Sequence, residues 1–450
     1  MLSMREALSS TKCCVILLAV IGFIVTPRLS GSWVSSGDGH EIGNRRRFAA
    51  VVEMEIFLLL CNFFIYNQLM HYFDADDRDK YDKRFAAKYR KRASIVLIAF
   101  MIAAQMVYFL YFAPSLFQGI LFDICAFLSG VWTNLLGIVA GFFIVNTVVY
   151  VLYTIPRTRV AVSKIENTAY IGSMVFDRRY QIKMILIITS IMSLLMWFGS
   201  DKIVVKHVTI PIKNFTGSNR SFKIALVSDI HAGASVYREQ VSKVADKLLD
   251  LHVDAVALVG DMVDGPLINI EDRLMPFWIL PYRYRTYFVS GNHEYYYGNA
   301  MEWFREYDRR RVRVLDNKCD MFHGICFVGV NDFSSGNSGI RGHNMNLTEA
   351  MQNCSEGSSR VVLSHNPASV KSFSAEDLEK VDVVLSGHTH AGQYYVLVPI
   401  VSLLLPYFHG LYDIGHGKLF VSAGTLYQGA PMKMLWMSEI WVVHLVKDKS

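Results

Sequence analysis

The chain has 450 residues, more than one ordinary domain needs, and 52% of them are hydrophobic, with a mean hydropathy of +0.27. Its net charge of +6 comes from residues 1–200, which hold 20 Lys and Arg against 13 Asp and Glu, while residues 201–450 hold 25 against 26. Basicity confined to the apolar half fits loops flanking membrane helices and argues against nucleic acid as a partner, since a nucleic-acid protein carries its basic stripe on a folded domain.

Hydrophobic runs occupy 13–26, 49–70, 93–112, 115–155 and 183–199, and a helix needs about 20 apolar residues to cross a bilayer. The first run is short and the second carries Glu53 and Glu55 near its start, so a signal-type segment and an interfacial start stay open for these two. The runs from Ala93 and from Lys183 have no charge inside them and read as crossings. The run 115–155 exceeds one crossing at ~1.5 Å per residue and stays open as one long helix, two short ones or a re-entrant piece. Residues 1–200 are therefore expected to be a multi-pass α-helical region of about five helices.

Eight Lys and Arg lie between Arg78 and Arg92 and six between Arg157 and Lys183, whereas Phe112–Asp123 has none. Five crossings put both basic loops in the cytoplasm and the segment after Gly199 on the luminal or extracellular side; the triplet Arg45–Arg47 opposes this orientation. The N-glycosylation acceptors Asn214, Asn219, Asn346 and Asn353 all fall in the second half and support it. Cys319, Cys326 and Cys354 are too few for a complete disulfide framework, and a hairpin at His323-Gly324 leaves a Cys319–Cys326 bridge open, although the two would not sit directly opposite.

Residues 201–221 read as a strand-bearing linker and 222–450 as a folded domain. From Phe222 short β-branched runs alternate with helical stretches, which predicts an α/β sandwich of two β-sheets flanked by helices. The expected strands are 222–228, 254–260, 285–291, 326–330, 359–365, 381–387 and 418–424, with an amphipathic helix over Val236–His252 between the first two. Several end in Ser or Gly followed at once by Asp, Asn or His, and in sheets buried on both faces ligand groups gather at the strands' carboxyl ends.

Those polar residues are Asp229 and His231, Asp261, Asn292-His293-Glu294, His365, and His388 with His390. All are oxygen or imidazole donors, which selects Mn, Fe or Zn over a thiolate site. In an extended chain residues i and i+2 face the same way, so Asp229 with His231, and His388 with His390, are each expected to converge on one locus. That many ligands exceed one ion, so two divalent metal ions are implied, with Asp261 as the bridge because a carboxylate offers two oxygens.

The series D-x-H, G-D-x-x-D, G-N-H-E, H and G-H-T-H, in this order, resembles the calcineurin-like metallophosphoesterase superfamily over about residues 220–445. The resemblance implies one metal on Asp229, His231 and His390, the other on Asn292, His365 and His388, Asp261 shared, and His293 turned to the substrate to support the leaving group. It also implies a bridging water activated by two dications and attacking phosphorus in line. Pro431–Lys433 departs from the Pro-x-Arg string of related membrane-associated members, which weakens any transfer of substrate.

The bland readings weigh against several other residues. His252, His323, His343, His409, His416 and His444 are given no role. Asp264 and Glu294 are expected to hydrogen-bond behind the ligands or simply to be solvated, and Ser228, Ser364 and Ser386 to be small residues where strands turn into loops. Tyr295–Tyr297 and the apolar stretch 394–408 are open between substrate contact, core packing and a face resting on the membrane. The expected function is a membrane-anchored phosphoesterase cleaving a phosphomonoester, phosphodiester or pyrophosphate bond of a phosphorylated small molecule or lipid-linked substrate. The alternative is a non-catalytic receptor or transporter-associated module that keeps the fold.

Overall fold

The computed structural model describes residues 39–73, 80–110, 119–166, 168–213, 215–218, 221–296 and 300–448. The run 13–26, the acceptors Asn214 and Asn219, and Tyr297 lie outside them. Phe48–Leu194 fall in one compact unit and Leu195–Ser450 in a second.

Among the described residues, four helical stretches are long and apolar enough to cross a bilayer: Val51–Phe73, Lys88–Leu110, Ile120–Thr154 and Arg178–Ser200. The ambiguous run 115–155 contains one unbroken helix of 35 residues, Ile120–Thr154, longer than the roughly 20 residues a crossing takes. Several polar side chains within these helices pair with each other, although Gln105 Nε2 and Thr189 Oγ1 are buried without a partner among the described residues. The amides of Asn146 and Gln181 exchange hydrogen bonds of 3.0 and 2.8 Å, and Asn134 donates to Ser193 at 3.1 Å. Such pairing is what a polar group in hydrocarbon requires, and it joins helices rather than lining a conduit.

The second unit is a two-sheet sandwich. Its strands are β1 (Val204–Ile212), β2 (Ser221–Val227), β3 (Ala232–Gly233), β4 (Ala255–Val259), β5 (Val263–Asp264), β6 (Arg285–Val289), β7 (Arg313–Val314), β8 (Lys318–Phe322), β9 (Ile325–Gly329), β10 (Ser359–Leu363), β11 (Val383–Ser386), β12 (Gly410–Ile414), β13 (Gly417–Val421) and β14 (Glu439–Lys447). One sheet runs β1-β14-β2-β4-β6-β7, the other β12-β13-β11-β10-β9-β8, and β3 pairs with β5. The stretch read as a linker thus supplies an edge strand, β1, parallel to β14.

Alternation along the strands explains the layering. Phe222, Ile224 and Leu226 of β2 meet Phe327, Val361, Leu363 and Leu385 of the other sheet in a shared core. Ala225 and Val227 point the opposite way, onto Val241, Val244 and Leu248 of the helix Arg238–Leu249. Strands covered on both faces carry apolar residues at nearly every position, which is why they read as continuous hydrophobic runs. On the far side of the second sheet Cys326 packs beside Val328 and Val362 and forms a disulfide with Cys354. The Cys319–Cys326 bridge left open from the sequence is absent: across the hairpin Cys326 faces Met321 while Cys319 faces Val328, so Cys319 keeps a free thiol.

β14 is locked by its first residue. The buried Glu439 carboxylate accepts from Lys206 at 2.7 Å, from the Ala423 backbone at 2.8 Å, and lies 2.9 Å from His409 Nε2. Burial alone would push its pKa up, but His409 and Lys206 hold it down at about 2, from an ordinary 4.5. The unfolded chain therefore takes up the proton first as pH falls, and the stabilisation, on the order of 3 kcal/mol, is present above about pH 4.5 and lost towards pH 2. In thermal melts of the detergent-solubilised chain, Glu439→Gln is expected to lie well below the wild type at neutral pH, with the gap narrowing below about pH 4.5 and closing only towards pH 2.

Candidate metal centre

β2, β4, β6, β10 and β11 end at one edge of the sandwich, and the residues immediately after them form the site. Asp229, His231 and His390 form one cluster of donor atoms lying within 4.8 Å of one another, and Asp261, His365 and His388 form a second. A third, His231, Asp261 and His293, overlaps both. Asp261 belongs to the second and third, and His231 to the first and third; Asp261 Oδ2 lies 3.1 Å from His365 Nε2, 3.8 Å from His231 Nε2 and 3.9 Å from His293 Nε2. Between the flanking rings, His231 and His390 approach Nε2 to Nε2 at 3.0 Å.

The loops are bent hard to do this. Asp229, His231, Asp261, His388 and His390 all have φ between 50° and 73°, a region that side-chain-bearing residues seldom occupy and that marks sites where the fold holds strain in place. These residues are therefore not on extended chain, and the alternation argument for their convergence does not hold. Asp229 and His231 meet at one cluster because the turn brings them there, while His388 and His390 divide between two. His293 likewise opens a helical turn, His293–Tyr296, rather than continuing a strand. Close approach does the rest: a Cβ on Gly291 would lie 2.2 Å from Asp261 Oδ1, and one on Gly387 would lie 2.4 Å from Asp229 Oδ2.

A ring of buried partners orients the imidazoles. Asp264 Oδ1 lies 2.9 Å from His231 Nδ1 and 2.6 Å from His293 Nδ1, and the Val259 carbonyl lies 2.8 Å from His365 Nδ1. Each contact takes the Nδ1 proton and leaves Nε2 aimed at the site. Glu294 accepts from the backbone N–H groups of Asp261, Met262 and Gly291 at 3.0, 2.8 and 2.6 Å. Asp264 and Glu294 therefore hydrogen-bond behind the clusters and are not solvated. Replacing Asp264 by Asn is expected to weaken metal binding about 10- to 100-fold, measured by titrating the stripped protein with Mn or Zn.

Electrostatics follow the same geometry. Burial opposes ionisation of Asp261, yet His365, His293 and His231 hold its carboxyl well below the usual range. Burial would lower His293, but Asp261 and Asp264 raise it to about 9. Burial and the neighbouring His365 push His388 down, and burial and His231 push His390 well down. Those two rings stay neutral with a lone pair to offer, the state a metal ligand must have. Asn292 Oδ1 and His390 Nδ1 are buried without a hydrogen-bond partner, a costly condition for a polar atom. A cation beside the Asn292 oxygen would relieve it, so the donor set fits divalent metals.

Of the remaining histidines, His343 lies 2.7 Å from the Tyr295 hydroxyl, His409 binds Glu439, and His444 lies 3.0 Å from His207; none enters a cluster. Ser386 donates to the Ser364 carbonyl and Ser364 pairs with Ser369, structural roles in agreement with the sequence reading. Sequence reasoning missed Gln428, whose side-chain amide lies 2.8 Å from His293 Nε2; it stands in a loop outside any motif. It also missed the environment of Lys433, a fully buried lysine donating to the Gly424 and Leu426 carbonyls at 2.7 and 2.5 Å.

Two sheets in a sandwich, with imidazole and carboxylate clusters gathered at the strand ends, define a metallophosphoesterase fold. Residues 222–392 match the family model described as calcineurin-like phosphoesterase and form a domain of that family. A provisionally named metallophosphoesterase of Caenorhabditis elegans is 36% identical over 245 residues, covering 53% of this chain and 51% of that protein. Proteins named transmembrane protein with metallophosphoesterase domain are 33% identical over 247 residues in Bos taurus and 31% over 244 in Danio rerio. These matches cover 52% of this chain in each case, and 55% and 56% of the relatives. The chain thus spans about half the length of the curated relatives it matches, and those relatives together with the four apolar helices support membrane association.

Proposed function

We propose that this chain is a membrane-anchored phosphoesterase that uses two divalent cations, Mn, Fe or Zn, to hydrolyse a phosphomonoester, phosphodiester or pyrophosphate bond. The observation that carries the reading is the sharing of Asp261 between adjoining clusters, one with His365 and His388 and one that overlaps Asp229, His231 and His390 through His231. Asp229, His231 and His390 would hold one ion, Asn292, His365 and His388 the other, with Asp261 serving both. Bound there, a pair of dications supplies positive charge for the phosphoryl oxygens and lowers the pKa of water. The chain's own contribution is placement and proton handling. Asp264 fixes His231 and His293 in one orientation, and His293, charged through its contacts with Asp261 and Asp264, offers a proton to the departing oxygen.

The substrate is a phosphorylated small molecule or a lipid-linked phosphate, and the domain faces the lumen or exterior. The Cys326–Cys354 disulfide supports that side, since such bonds persist in oxidising compartments. Asn346 and Asn353, both exposed, are compatible with it. The test is phosphate release from p-nitrophenyl phosphate by the detergent-solubilised chain. Chelation is expected to remove the activity and added Mn or Zn to restore it; turnover that survives removal of all transition metal would overturn the reading.

A further inference from the structure

Residues 391–412, which follow the last candidate ligand, contain no Asp, Glu, Lys or Arg over 22 positions. Their helix Val398–Leu404 has no buried residue, so of the readings open for 394–408, core packing applies to it only through the partly buried Val398. Leu403 is 86% exposed and Leu404 75%, with Ile400 also turned outward. Val398 and Phe408 tie the segment to a small core of Ala391, Ala423 and Met434, so the leucines project from a fixed base.

This face continues across the same unit. The Leu435 N–H donates to the Tyr395 hydroxyl at 3.0 Å, and beside Leu435 stands Trp436, 60% exposed. The loop that carries them is seated on the end of the helix Arg178–Ser200: Lys433 N–H donates to the Met196 carbonyl at 3.1 Å, and the Lys433 carbonyl approaches Gly199. Trp197 and Phe198 are exposed there. The lysine is the only charged residue in 431–437 and its side chain is fully buried. A contiguous, uncharged, aromatic-rich patch of this kind at the end of a membrane-type helix has the composition of the bilayer interface.

The patch is also joined to the candidate metal centre. Met434 N–H donates to the Gln393 carbonyl at 3.1 Å, Gln393 and Gln428 exchange hydrogen bonds of 3.0 Å, and Gln428 reaches His293. We infer that the face formed by 394–408, Leu435–Trp436 and Trp197–Phe198 rests on the bilayer that the helix Arg178–Ser200 enters. The centre thereby meets phosphate esters carried in the lipid headgroup layer. The substrate part of this inference rests on the proposed phosphoesterase function; the docking part does not.

The experiment uses the full chain in phosphatidylcholine vesicles, with a photoreactive benzoylphenylalanine at position 403 and, as control, at Tyr282, exposed elsewhere on the domain. Position 403 is expected to form lipid adducts and position 282 none; equal labelling, no lipid adduct, or adducts with another protein or a second copy would overturn the docking. In parallel, Leu403→Glu with Leu404→Glu is expected to lower, by about tenfold, the rate on a lipid phosphomonoester in the vesicle relative to a soluble ester. An unchanged ratio overturns the substrate assignment. Should the wild type hydrolyse neither ester, the phosphomonoester reading and the substrate assignment fall together, and the adducts still decide the docking.

Discussion

Asp261→Asn is expected to reduce phosphate release by at least about a thousandfold. The change keeps the size of the side chain and can keep one oxygen near the His293 N–H, which Asp261 Oδ1 now accepts at 2.8 Å. It removes the charge that faces three imidazoles at once, and an amide cannot serve two cations from two anionic oxygens. On the proposed two-ion reading, metal content should therefore fall below that of the wild type, in parallel with activity. A protein that keeps both its metal and its turnover would leave the shared-carboxylate arrangement without support. Circular dichroism guards against trivial unfolding, because the strands that deliver Asp261 are packed independently of its charge.

His293→Ala carries the second large effect, and its signature is selectivity. Removing a positioned general acid costs roughly 10²- to 10⁴-fold. That cost should appear with an alkyl phosphate, whose alkoxide needs a proton, and shrink to less than about tenfold with p-nitrophenyl phosphate, whose phenolate leaves unaided. Metal content should stay near the wild-type value. Equal losses on both esters, accompanied by loss of metal, would instead make His293 a ligand, a role its place in a cluster with His231 and Asp261 makes worth separating.

Much of this architecture was legible before the structure because strands buried on both faces leave uninterrupted β-branched runs, as in Phe222–Ser228 and Val381–Gly387. The abrupt change to Asp, Asn or His at their ends exposed the site for the same reason: a charged group directly after a buried strand needs a purpose. What was not legible depends on chain reversal and distance. The left-handed turns at Asp229, His231, His388 and His390 have no marker in residue type, so reasoning from extended chain assigned the convergence to the wrong cause. Asp264 was visible in its motif, yet only the turn geometry shows that it serves two histidines. Gln428 and Lys433 act from a loop without any repeat or spacing. The strand Glu439–Lys447 pairs with partners more than two hundred residues earlier, and nothing local announces it.

That late strand lies between β1 and β2, parallel to one and antiparallel to the other. During synthesis both neighbours emerge long before the segment that separates them, leaving two unpaired backbone edges waiting. A ribosome stalled short of residue 439 would hold an open seam, prone to sticking to itself or to other nascent chains. Loss of Glu439–Lys447 should therefore be strongly damaging to this domain, because β1 and β2 would be left without the partner they share.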